Sequence, residues 1–348
     1  MMPRVLPESR GRGGSRRRRQ HPSGSVLILA LWALFFLAAL AIAVGAHVSG
    51  CLNVAGRVQA ETTAYYLARA GVESAVAVLN SDSNEWDAST ETWADGKSLF
   101  KDQAMGGGRY SLIYAATSAS GEVVTNYGLT DEEQRVNINK ASVELLRAVV
   151  ATAGGADPDT ASRVAACIVD WRDKDNNLLT GGAENDYYHS LSPAYSSHND
   201  ELGSVAELML VKGMDRDLFG KLEPYLTVYG SGLINANTAG RVVLTSLALS
   251  VGVGDLATCR SLVDRMMAIR EGGSVFRSKG EVAAWQQTGS LPPVEAMVFG
   301  RMAITLDVRS TCFRGAVQGE VEGQPVEQSR IVFVYDRKHK AKVHWYEF

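Results

Sequence analysis

Cysteine is scarce in this chain of 348 residues: Cys51, Cys167, Cys259 and Cys312 are scattered, without a C-x-x-C pair. That spacing excludes a zinc ribbon and a disulfide-stapled miniature fold. Cys167 and Cys259 fall in helix-like stretches and read as small buried apolar residues, while one or two long-range bridges stay open. Catalytic signatures are absent as well. Neither G-x-S-x-G nor H-E-x-x-H occurs, His189 and His198 have no nucleophile at a recognisable spacing, and Ser190, Ser192, Ser196 and Ser197 read as polar loop. No enzyme is expected. Basic residues are poorly spread: seven arginines against Glu8 precede Ser25, so the net charge of -3 leaves the remaining chain at about -9. A nucleic-acid footprint over the body is therefore not expected. Between Ser25 and Gly56 charge of either sign is missing altogether.

What fills that gap is apolar. SVLILALWALFFLAALAIAVGA, residues 25 to 46, makes a helix long enough to span a bilayer, since about 20 residues cover the hydrocarbon layer. Arginines lie only on its N-terminal side, which favours keeping that end in the cytoplasm and the bulk of the chain across the membrane. The competing reading is an ordinary cleaved signal, with small residues at Gly45-Ala46-His47 or Val48-Ser49-Gly50. Residues 57 to 80 continue as an amphipathic helix whose apolar face is expected to carry Val58, Thr62, Tyr65, Tyr66, Ala70, Val72, Val76 and Leu79.

Pro22-Ser23-Gly24, ending a basic leader and followed by Ser25 and the apolar helix, resembles a type IV prepilin-type signal. The resemblance implies cleavage by a prepilin peptidase after Gly24 and an N-methylated Ser25. Pilin-like chains usually carry glutamate at the fifth mature position, where this chain has Leu29. That departure is itself the pattern of the protein K family of type II secretion minor pseudopilins. The N-I-N-x-A stretch at 137–141 and I-V-D-W-R-D at 168–173 resemble the same family.

Residues 81–108 are polar and glycine-rich and read as loop. Strand composition appears at Arg109–Thr117 and Glu122–Tyr127 around a turn at 118–121, then at 303–308, 313–321, 328–335 and 343–346 with a turn at Gly323-Gln324-Pro325. One sheet split by a helical insertion of about 160 residues explains strands at both ends. The insertion repeats internally: 136–154 aligns with 234–252, pairing Asn139 with Asn237 and Ala141 with Ala239. Those asparagines precede helix starts and are expected to cap them.

The expected fold class is thus α+β. A long N-terminal membrane-spanning helix packs on a pilin-like antiparallel sheet carrying a large helical insertion of SAM-like or helix-hairpin-helix-like kind. The segments are a leader (1–24), the long helix (25–80, membrane-spanning over 25–46), first sheet part (81–138), first helical module with an acidic loop (139–230), second module (231–300) and closing strands (301–348).

In DWRDKDNNLLTGGAENDYYHS, residues 170–190, Asp173, Asp175, Asn177 and Glu184 have the spacing of an EF-hand loop, but Leu178 stands where that loop needs glycine. A solvated acidic loop without an ion is the alternative. The resemblance implies a structural Ca²⁺, with Asp173, Asp175, Glu184, Asp186 and Asp200 as ligands; Asp170 is expected to hydrogen-bond within the loop and Trp171 to anchor the core. It also implies a place at the tip of a periplasmic filament in type II secretion. Its partners would be I- and J-type minor pseudopilins, the major pseudopilin and an inner-membrane secretion platform. A membrane-tethered DNA-binding module of an uptake system and an envelope hydrolase are the rival functions.

Overall fold

A computed structural model describes residues 23–117, 122–322 and 328–347. Residues 1–22 of the expected leader (1–24) and the turns at 118–121 and 323–325 lie outside them, whereas Ser23 and Gly24 already belong to the first helix. The chain divides into two compact units between Gln59 and Ala60.

The first unit is one helix, the opening part of a continuous helix Ser23–Ser81. Every side chain from Ser25 to Gln59 is exposed, including Leu29, Trp32, Phe35 and Phe36, and the segment is long and apolar enough to cross a membrane. Exposure of that many large apolar groups to water would be unfavourable at roughly 25 cal/mol per Å², so this surface calls for lipid or other helices.

In the second unit, the helix from Ala60 packs on an antiparallel sheet. Its strands run in the order Gln103–Met105, Gly108–Leu112, Cys312–Val321, Gln328–Asp336, Ala341–Glu347, and Thr130–Asp131 also pairs with Cys312–Val321. Val317 stands opposite both Leu112 and Ile331, so a C-terminal strand sits between an N-terminal one and its own hairpin mate. The split sheet expected from strand placement is therefore present, and the fold is α+β.

The buried helix face differs from the expected one. Val72, Val76 and Leu79 are buried as expected, but Val58, Thr62 and Tyr66 are exposed, and Ala60, Ala64, Leu67, Ala68 and Ala75 are buried in their place. Small residues win because the helix lies almost in backbone contact with the strand: a Cβ on Gly319 would overlap the Ala64 carbonyl oxygen and stand 2.7 Å from the Ala68 nitrogen. Gly319→Val is expected to destabilise the chain by about 3 kcal/mol, since neither backbone can yield. Thermal unfolding of detergent-solubilised protein checks this.

Residues 81–108 are more ordered than their polarity suggests. They hold the helix Lys97–Phe100 and the strand Gln103–Met105, and they bury Trp93, Ala94 and Phe100 in the core beneath the sheet. Three aromatics, Trp86, Trp93 and Phe100, were the overlooked signal. Tyr114–Thr117 and Val123–Asn126 form a separate hairpin, and from 303–308 only Leu306–Asp307 is strand, paired in parallel with Ile234–Asn235 of the helical part.

That helical part has its own core and is built twice. In the first module Val136–Asn137 pairs with Leu226–Thr227, helices Val143–Thr152 and Pro158–Arg172 follow, and in the second the helices are Arg241–Ser250 and Leu256–Glu271. The asparagines do not cap those helices. Ser142 caps the first, its Oγ accepting from the Leu145 N–H, and Gly240 precedes the other with no side-chain cap. Instead Asn139 donates to the Leu202 carbonyl (2.9 Å) and accepts from the Leu202 N–H (2.8 Å). Asn237 makes the same two bonds with Phe276, at 2.8 and 2.9 Å. A primary amide mimics one strand rung here, pinning a distant backbone to the start of the module. Arg172 and Arg270 repeat one another too, donating to the carbonyl of Ala141 and of Ala239, both at 2.5 Å. Asn139→Ala is expected to cost about 2 kcal/mol, by leaving both Leu202 groups unpaired, and to speed hydrogen exchange of the Leu202 amide.

Candidate metal centre

The modules differ most between helix end and amide clamp. Phe276 follows Arg270 closely, whereas the long acidic segment separates Arg172 from Leu202. That insertion is folded around three carboxylates. Asp170 lies in the last turn of helix Pro158–Arg172, Asp173 follows as its C-cap, and Glu184 precedes the short helix Asn185–His189. One oxygen from each lies within 4.8 Å of the others.

Local chemistry brings them together. The Asp170 carboxylate accepts from the N–H of Leu179 (3.3 Å) and of Ala183 (2.8 Å), folding the loop back onto its own helix. Gly182 permits this, because a Cβ there would collide with the Asp170 carboxylate. At the far side Asn199 donates its N–H to the Trp171 carbonyl at 2.9 Å. Trp171 and Tyr188, both buried, meet edge to face with ring centroids 5.0 Å apart and seat the loop on the core.

The group is short of partners. Both oxygens of Glu184 and Oδ1 of Asp173 are buried with no hydrogen bond, although Glu184 is only 7% exposed. Among the described residues no lysine or arginine pairs with Asp170, Asp173 or Glu184. Burial first, then the charges of Asp170 and Asp173, push the Glu184 carboxyl up to about 7, and burial raises Asp170 and Asp173 also. Hard oxygen ligands at 2.3–2.6 Å from Ca²⁺ stand up to about 5 Å apart across the ion, so the spacing fits such a cation, and a divalent charge would relieve the crowding.

Of the residues expected as ligands, the structure gathers Asp173 and Glu184. Asp175 is exposed, accepts from the Asn177 N–H at 2.7 Å, and still adds to the charge that raises Glu184. Asp186 and Asp200 stay outside the group: both are exposed, and Asp200 lies 3.7 Å from Lys174. Asp170 makes the loop hydrogen bonds expected of it and in addition joins the cluster. Its proximity to Gly181-Gly182, which let the chain return to it, was the available signal.

A second acidic group, Asp82, Asp87 and Glu91, is already served by a cation, Arg337, which lies 2.9 Å from Asp87 and 3.6 Å from Asp82. His189 meets Ser196 at 3.0 Å and His198 meets Glu207 at 2.7 Å, but among the described residues no carboxylate orients His189 behind its serine. All four cysteines are free. Cys167, Cys259 and Cys312 are buried, and exposed Cys51 lies 3.8 Å from His47 one helical turn earlier.

Residues 123–231, which contain the whole carboxylate group, match the family model "Type II secretion system (T2SS), protein K". That match covers 109 of the 348 residues. Curated protein K relatives include one from Pectobacterium carotovorum subsp. carotovorum, 27% identical over 53% of this chain and 54% of its own length. Another, from Aeromonas hydrophila, is 30% identical over 52% of each chain. A third, from Klebsiella pneumoniae, is 36% identical over 24% of this chain and 26% of its own. The chain thus spans about half the length, or less, of the curated protein K relatives it matches. A chain in the crystal structure of the GspK-GspI-GspJ complex from the enterotoxigenic Escherichia coli type 2 secretion system shares the fold, with a TM-score of 0.60 and 16% identity over 87% of this chain and 99% of that one. The apolar N-terminal helix and the protein K relationship together indicate single-pass membrane anchoring.

Proposed function

We propose that the chain is a minor pseudopilin of type II protein secretion, standing at the tip of the periplasmic pseudopilus and helping to nucleate it. The observation that carries this reading is the union of one exposed apolar helix with a pilin-like sheet bearing the two helical modules, in a chain related to protein K. Its N-terminus lies in the cytoplasm and its body in the periplasm, by the one-sided arginines. A prepilin peptidase cuts between Gly24 and Ser25. Leu29 supports the tip position, since an apolar residue there needs no buried charge partner in a subunit above. I- and J-type minor pseudopilins are its neighbours in the tip, with the major pseudopilin below and the inner-membrane platform at the base. The relationship supports neither the DNA-uptake reading nor the hydrolase.

The test is complementation. Cells lacking the gene are expected to retain secreted proteins in the periplasm and to regain export with the intact chain. Export unchanged by the deletion would contradict the role.

Within this reading, Asp170, Asp173 and Glu184 hold a structural Ca²⁺ that fastens the inserted loop. Calorimetric titration of the detergent-solubilised chain is expected to show calcium binding that Glu184→Gln abolishes, and an absence of heat at millimolar ion would remove the metal from the account.

A further inference from the structure

Just past the expected membrane span, His47 and Cys51 lie one turn apart on the first helix, and both are exposed. Nε2 of His47 stands 3.8 Å from Sγ of Cys51. Their neighbours on that face, Val44, Val48, Val54 and Ala55, are apolar. Cys51 is the one exposed cysteine of the four. A tetrahedral zinc ion takes thiolate sulfur at about 2.3 Å and imidazole nitrogen at about 2.0 Å, which sets the two ligand atoms about 3.5 Å from each other. The pair is therefore close to a chelating bite as the helix presents it.

The turn that the pair spans is intrinsically weak. GAHVSGCLNVAG, residues 45–56, holds three glycines and no charge, and a Cβ on Gly45, Gly50 or Gly56 would meet nothing within 4 Å. Each glycine costs a helix about 1 kcal/mol relative to alanine, and every side chain from 45 to 56 is exposed, so no packing offsets that cost. Ion pairs four residues apart cannot form there either.

We propose that His47 and Cys51 chelate a transition ion of the Zn²⁺ class, which staples the helix across this weak stretch. The Cys51 thiol releases its proton to solvent as the thiolate binds, the neutral imidazole of His47 binds through Nε2, and water completes the coordination. Side chains four residues apart share a face only while the segment is helical, so the ion binds the helical form and stabilises it by linkage. Sulfur and nitrogen donors select against Ca²⁺, which makes this ion distinct from the one proposed for the carboxylate group.

The test uses the full chain in nanodiscs, with calcium present to occupy the carboxylate group and Co²⁺ as the spectroscopic stand-in for Zn²⁺. Co²⁺ is expected to produce a near-ultraviolet thiolate-to-metal charge-transfer band that Zn²⁺ displaces. Cys51→Ser is expected to abolish the band. His47→Gln is expected to raise the cobalt needed for half-saturation about tenfold, because the second ligand no longer waits on the same turn. Circular dichroism unchanged in both variants shows that they are folded. Zn²⁺ is also expected to slow hydrogen exchange of the amides from 47 to 55 about fivefold in the wild type and not in Cys51→Ser. On a chain whose intact mass includes residues 25–56, the absence of the band, a band that survives Cys51→Ser, or one indifferent to His47→Gln overturns the site and leaves the pseudopilin reading standing. A band without slowed exchange overturns the staple.

Discussion

Asp131→Ala is expected to destabilise the body by about 3–5 kcal/mol, because it strips a common acceptor from several buried donors at once. The Asp131 carboxylate accepts from the Glu133 N–H (2.8 Å), the Ser310 hydroxyl (2.7 Å), the Thr238 hydroxyl (2.5 Å) and the Asn235 amide (3.1 Å). Those groups come from the sheet's N-terminal part, the segment before its central strand and the second helical module, so one carboxylate ties three stretches of chain together. In thermal unfolding the loss corresponds to roughly 10 °C for a body of this size. Unfolding within a degree of wild type would mean that the network contributes nothing.

The same site sets a pH dependence. Complete burial raises Asp131 to about 7, with the Thr238 and Ser310 hydroxyls pulling the other way, and burial raises nearby Asp87 to about 6 against the pull of Arg337. A folded-state value above the unfolded one means that the folded chain binds more protons between the two. Stability from these groups is therefore complete below about pH 4 and is lost as pH rises towards 7. Glu132 has the opposite sign, its carboxyl being held low by Arg135 and Arg314 against its own burial, so its contribution disappears only in acid. Asp131→Asn is expected to flatten the fall in melting temperature between pH 5 and 7, an outcome read from unfolding curves across that range.

Removal of the proposed calcium is the other large expected effect. If free ion exceeds its dissociation constant by 100- to 1,000-fold, binding stabilises the folded state by about 3–4 kcal/mol. Glu184→Gln gives the sharper readout because its sign reverses with conditions. In EGTA the variant is expected to melt above wild type, since a buried, unpartnered carboxyl among other acids has been made neutral. In calcium it is expected to melt below wild type, having lost a ligand. A variant that melts below wild type in both conditions would identify Glu184 as a packing residue with no link to an ion.

Much of this architecture was legible in the sequence because it rests on local pattern. Twenty-two residues without charge can only be a buried or membrane helix, strand-like alternation survives on either side of the insertion, and N-x-N-x-A marks the start of each module. What escaped was set by partners far away in the chain. Asn139 and Asn237 carry the composition of caps, yet their amides meet Leu202 and Phe276, and no local signal names those residues. Asp131 stands in the polar run TDEEQ, where burial is invisible until the second module folds over it. On the long helix Val72, Val76 and Leu79 follow from the apolar pattern, whereas Val58 and Tyr66 do not, because only alanines and Gly71 let the helix approach Val317 and Gly319. The candidate metal group was half visible. Loop spacing singles out Asp173, Asp175 and Glu184, of which the structure gathers Asp173 and Glu184, while Asp175, Asp186 and Asp200 share the loop's acidity without joining the group.

Every functional step proposed here requires the greasy N-terminal helix to remain on the mature protein. Mass spectrometry of the N-terminal peptide from membranes of cells expressing the full chain tests this directly. A mature protein beginning at methylated Ser25 is the expected result, and a terminus between His47 and Gly50, on a chain released from the membrane, would contradict the account.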